Sequence, residues 1–219
     1  MNIHTIILAA GKGTRMNTNL PKVMQPLGGQ TLISHVIKTA KVSSKDITII
    51  VGHQKDLLKE HIASIDPNIQ TTEQNEQLGT AHAVKTASHL IKDDEKVLIL
   101  YGDVPLISSE TIETLINSEQ DCTLLSMKLN DPTGYGRIMT DDKNLATRII
   151  EQNDASEDER KIQEVFTGIL LIDGSLLRPA LEEINNQNAA NEFYLTDLVE
   201  ILSAKGVKIN CIQANPIEV

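Results

Sequence analysis

The residues best suited to chemistry lie close together near the start of the chain. Leu8-Ala9-Ala10-Gly11-Lys12-Gly13-Thr14-Arg15-Met16 follows an apolar run, and Lys22 comes shortly after it. Small side chains in such a loop let backbone N–H groups approach a ligand closely, and a run of those donors makes an anion-binding concavity. The charge distribution agrees. Residues 1–45 hold Lys12, Arg15, Lys22, Lys38, Lys41 and Lys45 and no Asp or Glu, so the segment is +6, leaving −16 for the remainder of a chain of net charge −10. A basic segment in an acidic protein points to a local site for a small anion. Lys38, Lys41 and Lys45 read as a solvated helix face and loop, whereas Lys12, Arg15 and Lys22 sit in or beside the glycine loop. Spacing excludes a Walker loop, since G-x-x-x-x-G-K-[ST] is absent, and a dinucleotide fingerprint, since Met16 stands where the third glycine belongs. The bare G-x-G fits a structural turn equally well.

The elements that position this loop are legible in the pattern of apolar residues. Residues 3–9, 47–51 and 97–101 read as short buried strands, each running into glycine. Helical spacing covers Thr31 to Thr39, residues 55–64, Gly79 to Ile91 and Ser109 to Asn117, with a short strand at Ile69 to Thr72 and irregular chain over 17–29, around Pro21 and Pro26. This alternation predicts an α/β fold with a mostly parallel sheet flanked by helices and ligand binding at the carboxyl ends of the strands. The second half changes character. Strands at 123–128, 136–140, 145–150 and 166–172, with Asp141-Asp142 as a turn, suggest antiparallel or mixed sheet. An exposed charged loop or helical turn over 156–161, helices at 174–184 and 194–204 and a strand at 207–212 complete the chain. We expect one domain over 1–219, its first part about 1–120 and its second about 121–219.

Tyr101-Gly102-Asp103-Val104-Pro105-Leu106 ends the third buried strand, so Asp103 faces the same edge as the glycine loop. A helix cap is a poor role for it, because Pro105 and four other residues separate it from the helix beginning near Ser109. A hard carboxylate suits Mg²⁺, whose octahedron phosphate oxygens and waters complete.

The full string L-A-A-G-x-G-T-R-M, followed by Leu20-Pro21-Lys22, resembles the signature of nucleoside-triphosphate:sugar-phosphate nucleotidyltransferases. Such enzymes let a sugar phosphate attack the α-phosphorus and expel pyrophosphate, which needs fixed cations around the triphosphate. Arg15 can hold phosphate oxygens bidentately and Lys22 can act as a point charge. Five further segments narrow the resemblance: Gln74-Asn75-Glu76-Gln77-Leu78-Gly79-Thr80-Ala81-His82-Ala83, Asp131-Pro132-Thr133-Gly134-Tyr135-Gly136-Arg137-Ile138, Ile150-Glu151, Thr167-Gly168-Ile169 and Glu192-Phe193-Tyr194-Leu195-Thr196-Asp197. Together they resemble, in order and over the whole chain, the uridylyltransferase domain of the bacterial bifunctional N-acetylglucosamine-1-phosphate uridylyltransferase family.

That resemblance implies a Rossmann-like nucleotide-diphospho-sugar transferase fold with a smaller sugar-binding portion. It also implies roles. Leu8, Ala9, Ala10, Gly11 and Gly13 would contact the nucleotide, Arg15 and Lys22 the phosphates. Gln74 would hydrogen-bond uracil, with Gln77, Gly79 and Thr80 beside it; an amide offers a base edge both a donor and an acceptor. Asp103 would hold Mg²⁺. Tyr101, Gly102, Gly136, Glu151, Tyr194 and Thr196 would line the sugar site, with Phe166 at a position where the family has an Asn that contacts the sugar. The substrates implied are UTP and N-acetylglucosamine 1-phosphate. Without the family, Gln74 and Glu151 are ordinary exposed polar residues. His82 reads as a helix residue, not a general base, because a phosphate nucleophile is already ionised, and no nucleophile–base pair suggests a covalent intermediate.

Two departures stand out. Phe166 cannot make the side-chain hydrogen bond of the Asn it replaces, a loss of about 0.5–1.5 kcal/mol. The sequence ends at Pro216-Ile217-Glu218-Val219, short of a Gly-Val-Asn motif that carries the family's second Mg²⁺ ligand and of its trimerising acetyltransferase domain. The expectation is therefore no acetyl transfer and a monomer or weak oligomer.

Composition limits the alternatives. Aromatic residues are 2% of the chain, with no Trp, and the protein is acidic, which together argue against a nucleic-acid partner. Cys122 and Cys211 lack metal or disulfide-framework spacing. The apolar run at 6–10 is too short to span a membrane and has no charged leader, so a cytoplasmic location is expected. Small cytidylyl- and guanylyltransferases share the first motif but not the Gln-Leu-Gly-Thr and Pro-Thr-Gly-Tyr-Gly-Arg segments. A nucleotide-sugar-binding module without turnover is the competing class; Arg15, Lys22 and Asp103 together weigh against it.

Overall fold

Seven consecutive buried residues form the first strand, β1 (Ile3–Ala9). It lies at the heart of a computed structural model that describes residues 2–11, 13 and 20–219. Arg15 and the rest of its loop from Thr14 to Asn19, with Lys12, lie outside the described residues. A 3₁₀ turn at Lys22–Met24 leads into a small hairpin of β2 (Pro26–Leu27) and β3 (Gln30–Thr31). Irregular chain is expected there; instead the Gly28-Gly29 pair, with positive φ at both residues, makes the two-residue turn that such a hairpin requires.

Helix α1 (Leu32–Ser43) starts where Thr31 accepts from the Ser34 N–H at 3.3 Å and runs four residues beyond Thr39, because Ala40 continues the buried stripe of Ile33, Val36 and Ile37. There follow β4 (Asp46–Val51), α2 (Lys55–Ile65), β5 (Gln70–Glu73), α3 (Thr80–Thr86), β6 (Lys96–Tyr101) and α4 (Ser109–Ile116). The helix expected over Gly79 to Ile91 is divided: α3 ends at Thr86, and Ser88–Leu90 form a 3₁₀ turn. Ser108, not Asp103, caps α4, accepting from the Thr111 N–H at 3.1 Å.

The second half supplies β7 (Cys122–Lys128), β8 (Arg137–Thr140), β9 (Ala146–Ile150), β10 (Glu164–Asp173), α5 (Gly174–Glu183), α6 (Asp197–Ala204) and β11 (Ile209–Gln213). The last helix begins three residues later than Tyr194, because Phe193 and Leu195 are bonded through their N–H groups to another segment. The strands of both halves join one sheet in the order β11-β7-β10-β6-β1-β4-β5. β6, β1, β4 and β5 are mutually parallel; β10 runs antiparallel to β6 and β7, and β11 is parallel to β7. The β8–β9 hairpin hangs from β10 through Arg137 and Val165.

The two-residue period of a strand divides the core between the faces of the sheet. Ile6 and Leu8 of β1, with Val97 and Ile99 of β6, pack with residues of α3, α5 and α6. Ile7 and Ala9, with Leu98 and Leu100, pack under α1, α2 and α4. Helices thus cover both faces, which is why the central strands are apolar on both sides. Among the described residues no helix is long and apolar enough to cross a membrane.

Candidate active site

The carboxyl ends of β1 and β6 lie side by side, joined beyond the ladder by a bond from the Gly102 N–H to the Leu8 carbonyl at 2.9 Å. The chain leaves the sheet here, and a cleft of about 490 Å³ opens. Leu8, Ala9, Ala10, Gly11, Gly13, Lys22, Gln74, Gln77, Gly79 and Thr80 all line it, together with Tyr101 and Asp103. Every residue that the sequence assigns to the nucleotide, Arg15 apart, therefore meets in one place. Gly13 sits directly on Lys22; a Cβ there would lie 2.7 Å from the Lys22 Cβ.

Lys22 and Asp103, distant in sequence, form an ion pair across this cleft, both partly exposed. Asp103 is a single carboxylate, and no group of three or more His, Cys, Asp or Glu residues among those described could cage a metal. This donor set fits a Mg²⁺ that arrives with phosphate oxygens and keeps several waters, and does not fit a cation held by the protein alone.

Gln74 is buried, at 4% exposure, and is held by three hydrogen bonds, two of them to its side-chain amide. Its Nε2 donates to the Gly79 carbonyl at 2.9 Å and to His82 Nδ1 at 3.0 Å, and its backbone carbonyl accepts from Gln77 Nε2 at 3.2 Å. With both amide hydrogens engaged, the group it can offer a ligand is the oxygen Oε1. Gly79 has φ +117°, and a Cβ there would lie 2.4 Å from the Phe193 carbonyl oxygen, so only glycine fits. The reason for the close approach is a lacing of two segments. Phe193 N–H donates to the Leu78 carbonyl at 2.8 Å, Ala81 N–H to the Phe193 carbonyl at 2.9 Å, and Leu195 N–H to Thr80 Oγ1 at 2.9 Å.

The same lacing carries the chain into the second half. Thr196 Oγ1 donates to Glu151 Oε1 at 2.9 Å, and Gly136 lies so near that a Cβ there would be 3.6 Å from the Glu151 carboxylate oxygens. Glu151 and Tyr194 line a second cleft of about 490 Å³ with Asp154, Asp197 and Glu200. Its carboxyls sit in each other's field. Burial, then Glu200, Glu151 and Asp154, push Asp197 up to about 6. Burial raises Glu151 too, against the Thr196 hydrogen bond, with Asp154 and Glu192 adding to the rise. Tyr194 is pushed up to about 12, chiefly by desolvation and then by Asp154. Tyr101, on the wall of the first cleft, is raised by burial and next by Glu151, which shows how close the two regions are.

Four residues assigned to the sugar, Gly102, Gly136, Phe166 and Thr196, line neither cleft, although Thr196 reaches the second one through its bond to Glu151. Phe166 is 6% exposed and packs in the core with Ile138 and Ile149, held by a bond from its N–H to the Gly136 carbonyl at 2.9 Å. Two residues escaped the sequence reading. Glu192 lines the first cleft, and it lies within a segment that the resemblance had already singled out. His82 touches Gln74, but a loop residue and a helix residue eight apart share no periodicity that would reveal it.

The chain matches the model of the MobA-like NTP transferase domain over residues 5–194. It is 42% identical over 223 residues to the bifunctional protein GlmU of Clostridioides difficile (strain 630), an alignment that takes in all of this chain; the chain spans 48% of that protein's length. Among solved structures it superposes on a UDP-glucose pyrophosphorylase complexed with UDP-glucose, with a TM-score of 0.80, 18% identity and coverage of 98% of this chain and 91% of that one. A protein described as a glucose-1-phosphate thymidylyltransferase, from Bacillus anthracis and in complex with sucrose, gives a TM-score of 0.74 at 20% identity, covering 97% and 87%. These two likenesses speak for the fold, a mostly parallel mixed sheet between helices, and the family match adds the identity of the domain. A glycine loop and an opposed Lys–Asp pair at the carboxyl edge of that sheet, in a chain matched over most of its length, make this protein a member of the MobA-like NTP transferase family.

Proposed function

We propose that the protein transfers UMP from UTP to N-acetylglucosamine 1-phosphate, giving UDP-N-acetylglucosamine and pyrophosphate with Mg²⁺ as the required ion. The observation that carries this reading is the convergence, in one cleft, of the glycine loop, the Lys22–Asp103 pair and Gln74, whose amide hydrogens are both engaged and whose oxygen is left for a ligand. Uracil offers a ring N–H to such an acceptor, whereas cytosine presents a lone pair at the same ring position. The similarity to the bifunctional relative supports the choice of sugar phosphate, and in this reading the second cleft, lined by Glu151 and Tyr194, takes its sugar.

In this reading the backbone of Leu8 to Gly11 lies along the nucleotide, and Lys22 sets a fixed positive charge against the phosphates. Asp103 and the phosphate oxygens would hold Mg²⁺, which supplies charge neutralisation as negative charge moves to the leaving pyrophosphate. An oxygen of the sugar phosphate attacks the α-phosphorus in line, and the bond to the pyrophosphate oxygen breaks. The nucleophile is already ionised, so no side chain need remove a proton. Glu151, steadied by Thr196, would accept hydroxyl groups of the sugar.

The test is pyrophosphate release with Mg²⁺, pairing UTP, CTP, GTP and dTTP in turn with N-acetylglucosamine 1-phosphate and glucose 1-phosphate. Release that depends on UTP with N-acetylglucosamine 1-phosphate is the expected result. Release with CTP or GTP in preference to UTP, or none with any pair while UTP still binds, contradicts the proposal.

A further inference from the structure

The amide of Gln74 can serve as a base reader only if its oxygen and nitrogen are told apart, because the two ends have nearly the same shape. The Gly79 carbonyl is an acceptor whatever the circumstances, and at 2.9 Å it requires the nitrogen end of the amide. With nitrogen at that place, His82 Nδ1 at 3.0 Å must be the unprotonated acceptor of a neutral ring, whose hydrogen is then on Nε2. The imidazole is itself kept in place beside the Phe193 ring, with centroids 6.4 Å apart and planes inclined at 37°. Turning the amide over would set its oxygen against the Gly79 carbonyl and would require His82 to move its hydrogen to Nδ1.

We propose that His82 is a specificity-determining positioning residue: its Nδ1 takes the second amide hydrogen of Gln74 and so locks Oε1 toward the base, favouring uracil over cytosine. The inference rests on the reading of the first cleft as a uridine nucleotide site. His82 does not line that cleft and acts through Gln74. Gly79 supplies one lock through its backbone, which no substitution of a side chain removes; His82 is the lock that evolution or mutation can change.

The experiment is equilibrium binding of MgUTP and MgCTP to the full chain and to His82→Phe and His82→Asn, with thermal melting to register folding. Phe keeps a ring beside Phe193 but has no acceptor; Asn returns an acceptor oxygen near the position of Nδ1. We expect wild type to prefer MgUTP and His82→Phe to lose about three- to tenfold of that preference, what one hydrogen bond supplies, as UTP weakens and CTP tightens. His82→Asn keeps the wild-type ratio. Should His82→Phe fail to fold, His82→Leu is read in the same way. A merely structural role moves both affinities together and leaves their ratio intact. Wild-type preference that survives unchanged in His82→Phe, or is lost equally in His82→Asn, overturns the role of His82 alone. A wild type without preference for MgUTP overturns the uridine reading as well.

Discussion

The two clefts are of equal volume, about 490 Å³ each, yet they are built in opposite ways. The first gathers the carboxyl ends of β1 and β6, a lysine paired with Asp103, and the Gln74–Thr80 segment. The second is made from side chains scattered over three elements and the loops between them, and burial with the neighbouring carboxylates raises Asp197 and Glu151 there. In the proposed function the first cleft takes the triphosphate, which needs fixed positive potential, and Lys22 contributes it there. In the same proposal the second cleft takes the sugar ring, whose hydroxyls need acceptors held at set places, and Glu151 with its neighbours from β9 and α6 would offer them. The lacing of Leu78–Ala81 to Phe193–Leu195 is what joins the two.

The sharpest challenge to that contrast is Phe166. If it belongs to the core, Phe166→Ala costs about 3–5 kcal/mol of stability, read from the shift of a denaturant midpoint, as for other buried Phe deletions. A midpoint that stays put, with a change only in the KM for the sugar phosphate, returns Phe166 to the sugar site. Next in size is Asp103→Asn. Removing the Asp103 carboxylate, which the proposed function sets against the phosphates, should lower nucleotidyl transfer by about 10²–10³-fold, the cost of losing a fixed electrostatic contact in an active site. Pyrophosphate release checks it, and near-normal transfer in the variant places the metal elsewhere.

The contrast also explains what the sequence revealed. The parallel half was legible because each central strand is a short apolar run closed by glycine, and the glycine loop is one contiguous string. The hairpin at residues 26–31 was missed because Pro21 and Pro26 outweighed the Gly28-Gly29 turn. Helix α6 was begun early because residues 193–195 bond across the molecule to Leu78 and Thr80, contacts that no local propensity encodes. Glu151, Tyr194 and Thr196 were reached only through a family resemblance; their spacing in sequence carries no pattern of its own. His82 was seen as a helix residue, since its contact with Gln74 depends on how a loop enters the cleft.

The smallest expected effect concerns pH. Asp197 has a native value of about 6 against an ordinary 3.8, so between those values the folded chain binds more protons than the unfolded one. Stability from this group is therefore present at low pH and lost as pH rises through 6, and the raised Glu151 acts in the same direction. Glu73 in the first half is the opposite case. Its ion pairs with Lys55 and Lys59 hold it at about 2, so its contribution is lost only as pH falls below the ordinary 4.5. Between pH 7 and 5 the denaturant midpoint should rise on acidification, and Asp197→Asn should flatten that rise. An equal slope in the variant contradicts the placement of Asp197 among the crowded carboxyls.

Hydrogen exchange followed by mass spectrometry tests the division of labour most directly. With MgUTP alone, protection should rise at residues 8–11 and 74–80 and stay unchanged at 134–137 and 151–155. With UDP-N-acetylglucosamine, protection should extend to those second-half segments as well. Protection of 134–137 and 151–155 by MgUTP alone, with no further gain from the nucleotide sugar, would contradict the assignment of nucleotide and sugar to separate clefts.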